Sequence, residues 1–492
     1  MHATILLAAL AFAAVSQAAV DPPNPYPGLR PASYEAMLEI LRKADEQPFV
    51  TVSEEAKTTQ GRSVLLVRMN RGGDKAVWRI FFIGAQHGDE HAGKDALLKL
   101  ITDICAKPER LPEDVDLYMV PMANPDGSAA DTRRNANGVD LNRDHVELSQ
   151  PETQALHRIA RRVMPHVSVD CHEFGRDSSD YGARGWDEWP LIMMDTANHP
   201  LFDPALYEAG LRWVNDAKGA MAEAGFNYCR YIVGDAPPDG EVRHSTVDID
   251  DARNGLGAYG GLSFIIESGQ KRGQADVQQD LGLRVAAYEK LLWRFIEDRT
   301  HRDADMAAVA AARQRPPGPV VPTNYFWART TPGVEMIKVI ESATSAVIEV
   351  PAYNYMDTRV IKKSVPAASA YLVEVAAAAP IGDLLGRHGI AFEVTTTPLV
   401  VEVERVRLVR VEDKEDPVYE RYANRVIVER LKPAQQAFAA GSLRVDLGAL
   451  PPVERLRATL LLEPCQMYGL YQYPVFRATV GPDGLLPVAR AR

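Results

Sequence analysis

Cysteine is scarce in this chain: four residues in 492 (Cys105, Cys171, Cys229 and Cys465), with no CxxC pair among them. That excludes a disulfide-built scaffold and a cysteine-ligated structural zinc site. One disulfide would be compatible with an exported protein, and no pairing can be assigned. An excess of positive charge is also missing, because 55 Lys and Arg face 66 Asp and Glu for a formal net charge of −11. Such a surface repels a phosphate backbone, so nucleic acid is not an expected partner. Past the first residues, long apolar runs of membrane-spanning character are missing too. What remains, 46% hydrophobic and 25% charged residues, fits a globular protein with chain enough for two or three domains and a full core.

The one long apolar run, Ala3–Val15, is shorter than the roughly 20 residues of a membrane-spanning helix. The small residues of Ser16-Gln-Ala18 follow it, which predicts a signal peptide over residues 1–18 and a periplasmic or secreted protein with no stable membrane span after cleavage. Its first residues carry no Lys or Arg, a departure from the usual signal. From about Tyr34 to Arg299 strand-like and helical patterns alternate, as in an α/β fold whose mostly parallel or mixed sheet carries helices on both faces. Expected strands are Val64–Met69, Val77–Ile83, Asp116–Pro121, Val167–Cys171 and Ser263–Ile266. Expected helices are His91–Cys105, Pro151–Val163 entered through a Ser149/Glu152 capping box, and Leu283–Glu297. His301–Arg313 is Ala-rich and helical, and Pro316-Pro-Gly-Pro-Val-Val-Pro322 should break regular structure. The expected domains are therefore 22–300, a helix and Pro-rich linker at 301–323, and a smaller β-rich mixed accessory domain at 324–492. In the last, a strand at Tyr371–Val375, a helix at Ile381–Arg387 ended by His388 and Gly389, and an alternating strand at Val401–Val411 are predicted.

Four polar clusters stand at the ends of apolar runs. His87-Gly-Asp-Glu90 follows Val77–Ile83, and an imidazole and a carboxylate so spaced can both give lone pairs to one Zn²⁺, with Gly88 allowing the tight bend. Asn124-Pro-Asp-Gly127 closes a strand and leads to a loop with Arg133, Arg134, Asn142 and Arg143, forked cations and an amide donor suited to a carboxylate or an oxyanion. Val167-Ser-Val-Asp-Cys-His172 ends a strand in histidine, with Cys171 on the opposite face. Leu262–Ser268 delivers Glu267 at the end of a buried run, where a charge needs a partner or a task.

Together these motifs resemble the carboxypeptidase A-like zinc peptidases over roughly residues 60–300. HGDE looks like the family's HxxE metal pair, NPDG its turn, GVDLNRD its substrate loop, VDCH its third metal ligand and FIIE its catalytic glutamate. The resemblance implies one Zn²⁺ per chain held by His87, Glu90 and His172, a three-ligand set that leaves one position open. It implies that Asp140 orients the first histidine, that Asn142 and Arg143 grip the terminal carboxylate of a peptide, and that Glu267 acts as general base. An arginine of the TRRN segment, Arg133 ahead of Arg134, would meet the oxyanion. The short spacing from Glu90 to His172 and the RxNANGVDLNR loop look like the compact bacterial branch, some of whose members cut peptidoglycan peptides. No tyrosine stands where the digestive members carry their substrate-capping one, and Tyr259 is expected to pack or cap something else.

The expected function is thus a zinc metallocarboxypeptidase acting on a peptide or peptidoglycan-derived substrate. A peptidoglycan-peptide amidase or N-acyl amino acid deacylase on the same fold, and a non-catalytic peptide-binding module, stand as alternatives. His87-Gly-Asp-Glu-His91 also fits HxxEH, but that scheme needs a helix through Gly88 and leaves Asn142, Arg143, His172 and Glu267 without roles. Oligomeric state and terminal side-chain specificity do not follow from the sequence.

Overall fold

The computed structural model describes residues 22–270, 280–413, 423–465 and 469–492. The expected signal peptide lies outside these residues. An eight-stranded mixed sheet forms the centre, in the order Val50–Lys57, Ser63–Asn70, Val115–Val120, Trp78–Gly84, Val167–Gly175, Leu262–Gln270, Ile192–Thr196, Tyr228–Arg230. The four strands from Val115–Val120 to Leu262–Gln270 run parallel. Successive side chains of a strand face opposite ways, and here both faces are covered. Ile80 and Phe82 join the core beneath the helices His91–Ala106, Pro204–Glu223 and Leu281–Glu297. Phe81 and Ile83 pack instead with Ala155, Leu156 and Ile159 of the helix Pro151–Val163 and with Ala252 and Leu256. Covering on both sides is why these strands read as continuous apolar runs, each large side chain contributing about 1.5–3 kcal/mol on burial.

Several local expectations need correction. Gln150, not Ser149, is the N-cap of Pro151–Val163 and makes no capping hydrogen bond; Ser149 Oγ donates to Asp144 Oδ1 at 2.6 Å instead. The Pro-rich stretch breaks regular structure as expected after the helix Arg302–Gln314, but over a shorter span, since a strand, Val320–Ala328, begins within it and pairs with Thr358–Pro366. Pro322 sits at a register shift of this two-stranded ribbon, where a missing N–H is tolerated. The helix near Ile381 begins earlier, at Val375, and ends at His388 with Gly389 in the left-handed region at φ 65°. The alternating run at 401–411 is two strands, Leu399–Glu404 and Val406–Asp413, in different sheets. The chain changes sheet at the buried Arg405, which donates to Glu374 Oε1 (2.8 Å) and the Leu486 carbonyl (3.0 Å).

The last third is β-rich with some helix, as expected. A six-stranded sheet, with Ala370–Val373 near its middle, packs with Val375–His388 and Pro452–Leu462 around its own core. Other strands there complete small sheets begun earlier in the chain: Asn354–Met356 pairs in parallel with Glu241–His244, and Glu335–Glu341 pairs antiparallel with Trp186–Glu188. Among the described residues no helix is long and apolar enough to cross a membrane, and the four cysteines form no disulfide with one another.

Candidate metal centre

Three parallel strands bring their C-terminal ends to one place. The chain leaves Trp78–Gly84 through a turn that carries His87, then Glu90 caps the helix His91–Ala106. Gly88 is required there, because a Cβ would fall 2.0 Å from the Gly127 carbonyl carbon. His172 and Glu267 are register partners on adjacent strands, so both side chains emerge on the same face of the sheet.

His87 Nδ1 lies 2.8 Å from Glu90 Oε1 and 3.1 Å from His172 Nδ1, and His172 Nδ1 lies 2.9 Å from Glu90 Oε2. All three residues are buried, and their ligand atoms lie within 4.8 Å of one another. Among the described residues this is the one group so arranged, and His91 is not part of it. His91 opens the following helix and pairs with Asp131 at 2.9 Å.

The outer nitrogens of both imidazoles face carboxylates. His87 Nε2 is 3.1 Å from Asp140 Oδ1, and His172 Nε2 is 2.5 Å from Asp170 Oδ2. Protons on the outer nitrogens leave both Nδ1 lone pairs directed at the shared centre, as a metal requires. Burial opposes the charge on Glu90 and Asp140, yet His87 and His172 hold Glu90, and His87 and Arg133 hold Asp140, well below the usual carboxylate range. Burial likewise disfavours a charged His172, but Asp170 and Glu90 outweigh it and carry its pKa well above the ordinary value. Two imidazoles and a carboxylate converging on one point, each imidazole backed by a carboxylate, fit a zinc ion.

Arg133 places Nη2 at 2.8 Å and Nε at 3.0 Å from Asp140 Oδ2, with Nη1 3.1 Å from His87 Nδ1. Arg134 turns to the Gly138 carbonyl (2.9 Å) and does not line the cavity beside the cluster. That cavity, about 360 Å³, is lined by His87, Glu90, Arg133, Asn142, Arg143 and Glu267 together with Tyr231 and Arg243. Asn142 is anchored: its Oδ1 accepts from the Ala252 amide at 2.8 Å, and its Nδ2 lies 3.1 Å from His172 Nε2. Arg143 Nη1 donates to the Asn142 carbonyl (2.6 Å), and Tyr473 from the last third donates to the Arg143 carbonyl (3.0 Å). Glu267 is 7% exposed, and burial pushes its carboxyl up to about 7.

Sequence reasoning passed over Asp170, although it shares a strand face with His172 two residues on and the period of two could have found it. Tyr231 and Arg243 had no local signal. Arg243 reaches the cavity from the strand Glu241–His244 and Tyr231 from the link between Tyr228–Arg230 and Ile232–Gly234, which only the fold brings near.

Residues 35–176 match the zinc carboxypeptidase family model. Over this segment the chain is similar to the zinc carboxypeptidases. Curated relatives include the probable carboxypeptidase 2 of Arthroderma benhamiae, 36% identical over 99 residues that cover 20% of this chain and 19% of that protein. Carboxypeptidase 2 of Trichophyton tonsurans is 35% identical over 99 residues, covering 20% and 18%. The matched stretch thus spans about a fifth of these relatives' length. Among solved structures, a metallo-carboxypeptidase from Pseudomonas aeruginosa in complex with (2-guanidinoethylmercapto)succinic acid aligns with TM-score 0.41 and 24% identity, over 54% of this chain and 70% of that one.

Proposed function

We propose that the protein is a zinc-dependent exopeptidase that hydrolyses a peptide or isopeptide bond next to a free carboxylate. The observation that carries this reading is the convergence of His87, Glu90 and His172 within 4.8 Å, beside a cavity whose lining includes the buried Glu267 and the arginines Arg133 and Arg143. One zinc ion per chain would be held by these three side chains; when bound it supplies a Lewis acid that lowers the pKa of water and polarises a carbonyl. Asp140 and Asp170 fix the tautomers of the two histidines.

Glu267 is the general base. It takes a proton from the attacking water and later returns it to the leaving amine, and burial lifts its pKa to about 7, close to what proton transfer near neutral pH favours. Arg133 reaches past Asp140 toward the cluster and stabilises the oxyanion as it forms. Arg143, with Asn142, receives the substrate's carboxylate. The apolar run Ala3–Val15 before Ser16-Gln-Ala18 supports export.

The test is to incubate the purified protein with a peptide library and with peptidoglycan fragments, with and without a zinc chelator, and to read products by mass spectrometry. Loss of one residue from free C-termini, abolished by the chelator and restored by zinc, is expected. Turnover that ignores the chelator would overturn the proposal.

A further inference from the structure

A line of buried polar side chains runs from the metal centre to the C-terminal third. Asp170 Oδ2, facing His172 Nε2, also accepts from Gln86 Nε2 at 2.8 Å. Gln86 Oε1 lies 2.9 Å from His145 Nε2, His145 Nδ1 lies 3.0 Å from His157 Nε2, and His157 Nδ1 lies 3.0 Å from the Tyr259 hydroxyl. Gln86, Asp170, His145, His157 and Tyr259 are each no more than 2% exposed. The Gln86 amide meets Asp170 with its nitrogen and His145 with its oxygen, so with neutral rings the direction of every link is set. Gln86 donates to Asp170 and turns its oxygen to His145, which must carry its proton on Nε2. His157 must then donate through Nε2 to His145 Nδ1 and accept through Nδ1 from Tyr259.

Burial pulls His145 down to about 4 and His157 well below its ordinary value, so both rings are neutral, as this arrangement of protons needs. The far end is closed by the last third of the chain. The Arg457 guanidinium lies 4.1 Å from the centroid of the Tyr259 ring, and the His388 ring meets that of His157 edge-on at 5.5 Å. Arg457 Nη2 donates to the His388 carbonyl (2.6 Å), and His388 Nε2 donates to the Val146 carbonyl at 2.8 Å.

Five buried polar groups cost more than an apolar core would unless each is satisfied, and here one proton arrangement satisfies the links in a single direction. All donors point toward the carboxylate that orients His172. We propose that Gln86, His145, His157 and Tyr259 form a positioning relay for His172, and that the C-terminal third supports the metal centre by clamping the relay's far end. This rests on the zinc reading above. It assigns to residues 388 and 457 a part in the site that neither touches.

The test measures zinc affinity of the full chain by competition with a chromophoric chelator, beside urea unfolding of the metal-free protein. His157→Leu cuts the relay away from the ligands, whereas His157→Gln keeps one donor and one acceptor. We expect His157→Leu to weaken zinc about 10- to 100-fold, the usual cost of losing a partner behind a ligand, and His157→Gln to recover most of that loss. Cobalt-substituted His157→Leu should show shifted visible bands, because His172 is no longer held in one orientation. If His157→Leu does not fold, Tyr259→Phe carries the test, since it removes one O–H and almost no volume, with about threefold weaker zinc expected.

Variants whose metal-free stability falls while zinc affinity stays within twofold of the parent and the cobalt spectrum is unchanged would overturn the relay, leaving a structural network. A parent protein that binds no zinc would instead overturn the metal reading on which the relay depends.

Discussion

Replacing Glu267 with Gln should disable the protein and stabilise it at once. The side chain is 7% exposed, and burial raises its carboxyl from 4.5 to about 7. A carboxyl whose folded pKa lies above its unfolded value binds its proton more tightly in the folded state. Folding is therefore unaffected below about pH 4, where both states are protonated, and is progressively penalised as pH rises toward and past 7. The gap between 4.5 and about 7 corresponds to a ceiling of about 3 kcal/mol at pH 8, at about 1.4 kcal/mol per pH unit. Gln keeps the size of the group and carries no charge, so metal-free Glu267→Gln should be more stable than the parent at pH 8, by up to that amount, and nearly equal to it at pH 4. Hydrolysis should fall by about 10²–10⁴, the usual worth of a general base, with zinc content unchanged. Urea unfolding of the chelated proteins at both pH values, with turnover and metal analysis of the loaded ones, reads all three quantities. A variant that hydrolyses its best substrate at the parental rate would refute the assigned base, and one that is less stable at pH 8 than at pH 4 relative to the parent would refute the buried-charge argument.

Three further outcomes are expected. His172→Ala should lose most zinc and activity while His91→Ala keeps both, and metal analysis showing the reverse would favour an HxxEH site. Arg143→Ala should weaken substrates with a free C-terminus about 10- to 100-fold, the equivalent of roughly 1.5–3 kcal/mol for a charge-assisted pair. Amidated peptides should barely change, so equal losses on both would assign Arg143 to structure. Arg133→Ala should lower kcat about 10²–10³-fold with little change in KM, as expected for a group that meets charge only in the transition state; loss of zinc from that variant would show that its grip on Asp140 matters more.

What the sequence made legible was whatever a single strand or turn could carry. His87, Glu90, His172 and Glu267 stood out because each is a polar side chain at the end of an apolar run, and such runs are buried on both faces. The strands that carry His172 and Glu267 run further than expected, Val167–Gly175 and Leu262–Gln270, because the polar residues that seemed to end them are part of the buried sheet. Gln86, His145 and His157 had no such mark. Gln86 meets Asp170 across 84 positions and His145 across 59, and no local period reports a partner at that range. The run at 401–411 misled for the opposite reason, since its alternation is real but is interrupted at Arg405, which lies between two strands that belong to different sheets.

The parallel pairing of Glu241–His244 with Asn354–Met356 bears on how this chain can be divided. The earlier strand carries Arg243 into the cavity wall, and its other neighbour is Ile232–Gly234. A chain cut at the Pro-rich stretch would therefore leave one side of that strand without hydrogen-bond partners, an open edge that invites pairing with other chains. The part of the cavity wall that carries Arg243 is in this sense a joint product of both parts, and the tail could not be exchanged for another without rebuilding it.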